Sequence, residues 1–274
     1  MEKDIQFLKD TAKELRKNIL KMVCAACSGH PGGALSAAEI ITALYYGEMH
    51  VDPKNPQDPD RDRFILSKGH TCPVLYSVLA MKGYFPLEEL QTLRKINGRL
   101  QGHPDMNKTP GVDSTAGSLG NGLSIGIGMA LMAKLDKKSY RTYVLLGCGE
   151  LNEGLIWEAA MAAAKFKIDN LLAIVDYNRL QLDGTNDEVM PLEPLADKWK
   201  AFNWNVITID GHDFNQILGA FRKAGETVNQ PTVIIANTVK GKGVSFMENK
   251  VDWHGKAPNK EQLETALREI ENDI

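Results

Sequence analysis

Two apolar runs that end in polar punctuation constrain the fold of this chain most. Val144-Leu145-Leu146 closes on Gly147-Cys148-Gly149-Glu150, and Leu171-Leu172-Ala173-Ile174-Val175 closes on Asp176-Tyr177-Asn178. Neither run alternates. A strand that is apolar at every position is covered on both faces, so the runs predict an α/β fold with a parallel sheet and helices on either side. Glycines between the first run and a helix predict a turn whose backbone N–H groups face a phosphate. The second run brings the Asn178 oxygen, a ligand type suited to a hard metal ion, to the same end of the sheet. On this segment alone a tight strand-to-helix turn with no ligand stays open.

The same alternation runs along the whole chain. Ile5, Leu8, Ala12, Leu15, Ile19 and Met22 recur at helical spacing and predict a long first helix that stops at Ser28-Gly29. A second helix is expected over residues 36–49, followed by a proline-rich surface loop over 52–60. Strands are expected over 64–67, 142–147, 171–176, 205–210 and 232–238, and helices over 70–82, 120–135, 153–165, 196–202 and 214–226. Residues 249–259 are polar and irregular, and 260–270 form a short charged helix. No repeat, low-complexity tract or internal boundary interrupts the pattern, so 1–274 reads as one domain.

Composition narrows the function classes. A chain of 274 residues, 43% hydrophobic and 24% charged, can bury one large core. The net charge of −3 and the lack of a Lys/Arg block give no indication of a nucleic acid or an anionic membrane as partner. The first twenty residues lack the apolar centre of a signal peptide, and no apolar run is long enough for a membrane span, so a cytoplasmic protein is expected. Cys24-Ala25-Ala26-Cys27 has CxxC spacing but no second CxxC to complete a zinc site, and its thiols are expected to be small core residues. Disulfides are not expected in a reducing compartment.

Several further motifs stand in a definite order. They are Ser28-Gly29-His30-Pro31-Gly32-Gly33, Asp62-Arg63-Phe64-Ile65-Leu66-Ser67-Lys68-Gly69-His70, Gln101-Gly102-His103-Pro104, Thr115-Ala116-Gly117-Ser118-Leu119-Gly120-Asn121-Gly122 and Trp253-His254-Gly255. In content and order they resemble the N-terminal, thiamine diphosphate-binding half of transketolase. The Gly147-Cys148-Gly149 turn with Asn178 resembles that family's Gly-Asp-Gly and Asn signature, with Cys148 standing at the aspartate position.

The resemblance implies thiamine diphosphate as cofactor, held with Mg²⁺ or another divalent ion. It implies that Gly147 and Gly149 form the diphosphate turn and that His70 and His254 touch the diphosphate. The metal ligands would be the Asn178 side chain, the Leu180 carbonyl and the group at Cys148. A thiol is a soft donor, usually neutral, which suits Mg²⁺ poorly. Gly117 and Leu119 would meet the aminopyrimidine ring and Leu182 would support the bent cofactor, although both leucines could equally be ordinary core. His30 and His103 would contact sugar hydroxyls and assist proton transfer. Glu153 and Glu158 would link two active sites across a dimer, or else be helix-start charges favoured by the dipole. Lys240-Gly241-Lys242-Gly243 could form an anion nest at the active-site entrance, but a solvated turn is the simpler reading for its lysines. His50 and His212 match no motif and are read as structural.

In transketolases the glutamate that activates the cofactor, and the arginines that receive the sugar phosphate, belong to a separate pyrimidine-binding domain. The resemblance therefore implies the N-terminal subunit of a split transketolase, transferring a two-carbon ketol unit between sugar phosphates in the pentose phosphate pathway. A C-terminal subunit would supply the missing domain. The assembly would be a homodimer of heterodimers, a heterotetramer, and this chain would be inactive alone. Two alternatives stay open: a related ketol transferase resembling deoxyxylulose phosphate synthase, and a cofactor-poor scaffold subunit in which Cys148 has abolished metal binding. His30 and His103 together with Trp253-His254-Gly255 favour the transketolase.

Overall fold

The computed structural model describes residues 4–272. Its centre is a sheet of five parallel strands: β1 (Arg63–Leu66), β2 (Thr142–Gly147), β3 (Leu171–Tyr177), β4 (Asn205–Asp210) and β5 (Thr232–Asn237), in the order β1-β2-β3-β5-β4. The helices are α1 (Ile5–Ala26), α2 (Pro31–Ser36), α3 (Ala38–Ala43), α4 (Cys72–Lys82), α5 (Asn121–Leu135), α6 (Gly154–Lys165), α7 (Asn186–Val189), α8 (Leu195–Ala201), α9 (Phe214–Glu226) and α10 (Lys260–Glu271).

The uninterrupted apolar runs have the predicted cause. Tyr143, Leu145, Leu172 and Ile174 enter the core packed by α1, α3, α4 and α9, whereas Val144, Leu146, Ala173 and Val175 enter the core packed by α5, α6 and α8. Successive side chains point to opposite faces, so a strand between two cores must be apolar throughout.

Two expectations are corrected. The helix expected over 36–49 begins earlier, at Pro31, and is split into α2, α3 and a π-helical turn, Leu44–Glu48. Proline is suited to a first helical position because its ring presets φ and its missing N–H has no partner there. Gly32 and Gly33 look like breakers in sequence, yet they let α2 pack closely. A Cβ on Gly32 would lie 2.8 Å from the Trp253 carbonyl, and one on Gly33 would lie 2.8 Å from a Thr71 methyl. The second correction concerns the CxxC pair. Cys27 is the left-handed cap of α1 (φ 50) and is exposed, and Cys24 is only half-buried, because the helix ends where they stand and its packed face is carried by Ile19, Leu20, Met22 and Val23. Residues 249–259 are irregular as expected apart from a short 3-10 turn, Val251–His254.

Candidate active site

The carboxyl ends of β1, β2, β3 and β5 meet at one cavity of about 250 Å³. Parallel α/β sheets bind ligands at this edge, where loops leave the strands and helices begin.

Beneath it lies a buried polar knot. Lys68, just after β1, donates from Nζ to the Gly33 carbonyl (2.8 Å) and to the Asp176 carboxylate on β3. Asp176 also accepts from Ser36 Oγ (2.6 Å), from Asn178 Nδ2 (3.2 Å) and from the Thr238 hydroxyl. Burial opposes ionisation of Asp176, but the Lys68 ammonium and the hydroxyl donors outweigh it and hold the carboxyl below its usual range.

Glu150 organises the glycine turn. Its carboxylate accepts from the Gly147 N–H (3.0 Å), the Gly120 N–H (2.8 Å) and the Ser67 hydroxyl. Burial pushes its pKa up, against these donors. Both oxygens are engaged in fixing the turn to the start of α5, so Glu150 does not stand in for the missing aspartate.

Three histidines form a cluster on the other wall. Ring centroids are 5.1 Å apart for His30 and His70, 5.5 Å for His30 and His254, and 5.2 Å for the stacked His70 and His254. Burial first, and then neighbouring cationic groups, lower their pKa values to about 4 for His30, about 2 for His70 and about 3 for His254. At neutral pH they are uncharged groups that can donate and accept hydrogen bonds. His103 is exposed, and its ring lies near Gly69, beside this cluster. Arg94 Nη1 donates to Ser28 Oγ (2.8 Å), and Nη2 lies 3.5 Å from His30 Nδ1.

Of the residues expected at the site, His70, Leu119, Gly147, Cys148, Gly149, Asn178, Leu180, Leu182 and His254 line the cavity. His30 and His103 stand beside it. Gly117 lines a neighbouring groove with Ser67, Ser118 and Asn121 rather than the cavity itself. Glu153 and Glu158 are exposed, at the start of α6 and within it, and are not brought to the cavity. Leu182 is 60% exposed and Leu119 half-buried, so neither is ordinary core. His50 is exposed. His212 is structural: its Nε2 accepts from the Val239 N–H (2.9 Å) and its Nδ1 faces Glu39 (2.9 Å).

The solvated reading of Lys240 is corrected. Its side chain is 2% exposed and lines the cavity, with Nζ donating to the carbonyls of Leu180 (3.2 Å) and Gln181 (3.1 Å) and to His254 Nδ1 (2.9 Å). Burial lowers its pKa to about 8, which still leaves it mostly an ammonium at neutral pH. Lys242 does reach solvent and pairs with Glu248. Sequence reasoning also missed Lys68, Asp176, Glu150 and Gln181 as parts of the site. The first three stand within quoted motifs, and a charged residue at or within three residues of the end of an apolar strand was the signal that could have found them.

The donor set accepts a diphosphate but does not fit the expected Mg²⁺. Lys240, two histidines and the glycine turn face the cavity, and a diphosphate can take hydrogen bonds from them, while Lys68, held by Gly33 and Asp176, adds positive charge at the floor. A hard divalent ion needs several anionic or carbonyl oxygens. Here Cys148 is 2% exposed, with burial and the nearby Asp176 raising its pKa, so it presents a neutral thiol. Asn178 Oδ1 faces that thiol (3.7 Å) and accepts from the Leu180 N–H (3.2 Å), while the Leu180 carbonyl already accepts from Lys240. Among the described residues no group of three or more His, Cys, Asp or Glu side chains is placed to hold a metal.

Residues 8–271 match the family model for "Transketolase, thiamine diphosphate binding domain". The chain is 46% identical over 266 residues to the 6-deoxy-6-sulfo-D-fructose transketolase subunit SqwG of Clostridium sp. (strain MSTE9), covering 97% of each. It is 45% identical over 270 residues to an apulose-4-phosphate transketolase subunit of Phocaeicola vulgatus, covering 98% of this chain and 96% of that one. It superposes on the crystal structure of Campylobacter jejuni transketolase with a TM-score of 0.93 at 33% identity, over 98% of this chain but 43% of that one. The chain therefore spans less than half of that transketolase.

Proposed function

The chain belongs to the transketolase family, in its thiamine diphosphate-binding domain, and from that premise we propose that it is the cofactor-binding subunit of a two-subunit transketolase. Together with a C-terminal subunit it transfers a two-carbon ketol unit between sugar phosphates. The observation that carries this reading is the convergence of Lys240, His70, His254 and the Gly147–Gly149 turn on one cavity at the strand ends. The relatives of matching length, each named as a transketolase subunit, support the partner. The cationic lining argues against a scaffold that has lost its cofactor.

Thiamine diphosphate, when bound, supplies the nucleophilic carbon that carries the ketol unit. This chain's part is to hold and orient. Lys240 offers positive charge to the diphosphate, and the turn beyond Gly147, whose own N–H is held by Glu150, offers the backbone N–H groups of Cys148 and Gly149. His70 and His254, uncharged at neutral pH, contribute hydrogen bonds to the same end. Leu119 and Leu182 give apolar contact to the body of the cofactor. His30 and His103, beside the cavity, are placed to accept and return protons at sugar hydroxyls. Glu153 and Glu158, at the surface, join a second copy across the assembly, which we read as a homodimer of heterodimers.

The reading takes residues 1–274 as one domain, the location as cytoplasmic and the pathway as pentose phosphate interconversion. Magnesium, the family's expected companion ion, has no fitting donor set here, and no step is assigned to it. Calorimetric titration tests the cofactor assignment. Thiamine diphosphate should bind saturably and thiamine, lacking both phosphates, should bind at least about tenfold more weakly. Equal affinity for the two would remove the diphosphate site from the account.

A further inference from the structure

Lys240 is held more firmly than a cavity-lining lysine needs to be. An ammonium has three donors and no acceptor, and here all three are used, on two adjacent backbone carbonyls and one imidazole nitrogen. The backbone is pinned on both sides. The Val239 N–H donates to His212 Nε2 (2.9 Å), the Gly241 N–H to the Gly32 carbonyl (2.9 Å), and the Lys240 carbonyl accepts from the Asn249 N–H (2.9 Å). Gly241 has φ +80, and a Cβ there would lie 2.5 Å from the Met247 carbonyl oxygen, so the loop excludes other residues at that point.

One of those carbonyls, Leu180, is the backbone oxygen expected to ligate the metal. A divalent ion bound to it at about 2.1 Å would stand within roughly 5 Å of the ammonium, and the two cations would repel. The aspartate that would offset such crowding is absent. With Cys148 in its place, no carboxylate stands at that position beside Lys240, and the charge of Lys240 stays available to an anion in the cavity. Lys68 cannot serve equally, since it is committed to Asp176.

We propose that the Lys240 ammonium takes the place of the divalent metal, so that the cavity receives thiamine diphosphate without a metal ion. This rests on the thiamine diphosphate reading above. On binding, a diphosphate oxygen replaces one of the carbonyl acceptors of Lys240, and the remaining contacts keep the ammonium in position.

The test is calorimetric titration of the full-length chain with thiamine diphosphate, in chelator and in excess Mg²⁺. The expected dissociation constants agree within about twofold. Lys240→Met should weaken binding by about 10- to 100-fold in chelator without rescue by Mg²⁺, and Lys240→Arg, which keeps the charge, should retain most of the affinity. Cys148→Asp, which restores a hard anionic donor, should make binding respond to Mg²⁺. Tightening of the wild-type chain by about tenfold or more in Mg²⁺, or wild-type affinity of Lys240→Met in chelator, overturns the inference alone. Failure to bind under every condition overturns the thiamine diphosphate reading and the inference with it.

Discussion

The Lys68 ammonium and the Asp176 carboxylate form an ion pair sealed beneath the cavity, with only 3% and 0% of their side-chain surfaces exposed. Through Ser36, Gly33 and Thr238 the pair ties α2, the loop after β1, the end of β3 and the loop after β5 into one floor. Removing one partner of a buried pair leaves an uncompensated charge, which costs about 3–5 kcal/mol. Lys68→Met should therefore lower the unfolding free energy in urea by about that amount. A loss below about 1 kcal/mol, the level of an exposed pair, would contradict the floor as described.

The histidine cluster predicts a pH dependence. An unfolded histidine takes up its proton near ~6.5, but in the fold His30, His254 and His70 resist protonation down to about 4, about 3 and about 2. Between those values the unfolded chain binds more protons than the folded one, so stability rises with pH. The contribution of the neutral cluster is complete above ~6.5 and is lost progressively as the pH falls from there through about 4 for His30, about 3 for His254 and about 2 for His70. Thermal unfolding of the ligand-free chain should thus shift to lower temperature across this window. Replacing His30 and His70 with Gln should flatten the slope, and an unchanged slope would show that other groups carry it.

Ile125 and Met132 lie seven residues apart on α5 and are 38% and 48% exposed, with Gly128 between them open to space. Met161 on α6 adds a further exposed apolar side chain at 54%. Stable interfaces are built from such faces, with charged residues depleted at their centre. The double substitution Ile125→Asp with Met132→Lys should weaken self-association or partner binding by at least about tenfold in analytical ultracentrifugation, and leave the fold intact. An assembly unaffected by the two charges would move the interface elsewhere.

How much was legible in the sequence depends on what each residue answers to. The strands were readable because a sheet between two cores forces every position of Leu171–Tyr177 to be buried, a rule local to the run. The cavity residues on the motifs, such as His70 and Asn178, were readable by resemblance. Lys240 was not, because a lysine in a glycine-rich loop after a strand usually faces water, and its burial depends on contacts with Leu180, Gln181 and His254 that are 14 to 60 residues away in sequence. The early start of α2 was obscured by Gly32 and Gly33, whose close approach to Trp253 and Thr71 exists only in the folded chain. Glu153 and Glu158 were singled out by resemblance, and both lie exposed on and just before α6, away from the cavity.

The central claim, that this chain is the cofactor-binding half of a transketolase, is tested most directly by a ketol-transfer assay. The assay uses xylulose 5-phosphate and ribose 5-phosphate, with the substrates named for the relatives, apulose 4-phosphate and 6-deoxy-6-sulfo-D-fructose, as further candidates. With thiamine diphosphate present, the purified chain should give no transfer alone and should give transfer on mixing with a C-terminal transketolase subunit that supplies the pyrimidine-binding domain. Transfer by the purified chain alone, or none by the mixture with any of these sugars, would contradict the account.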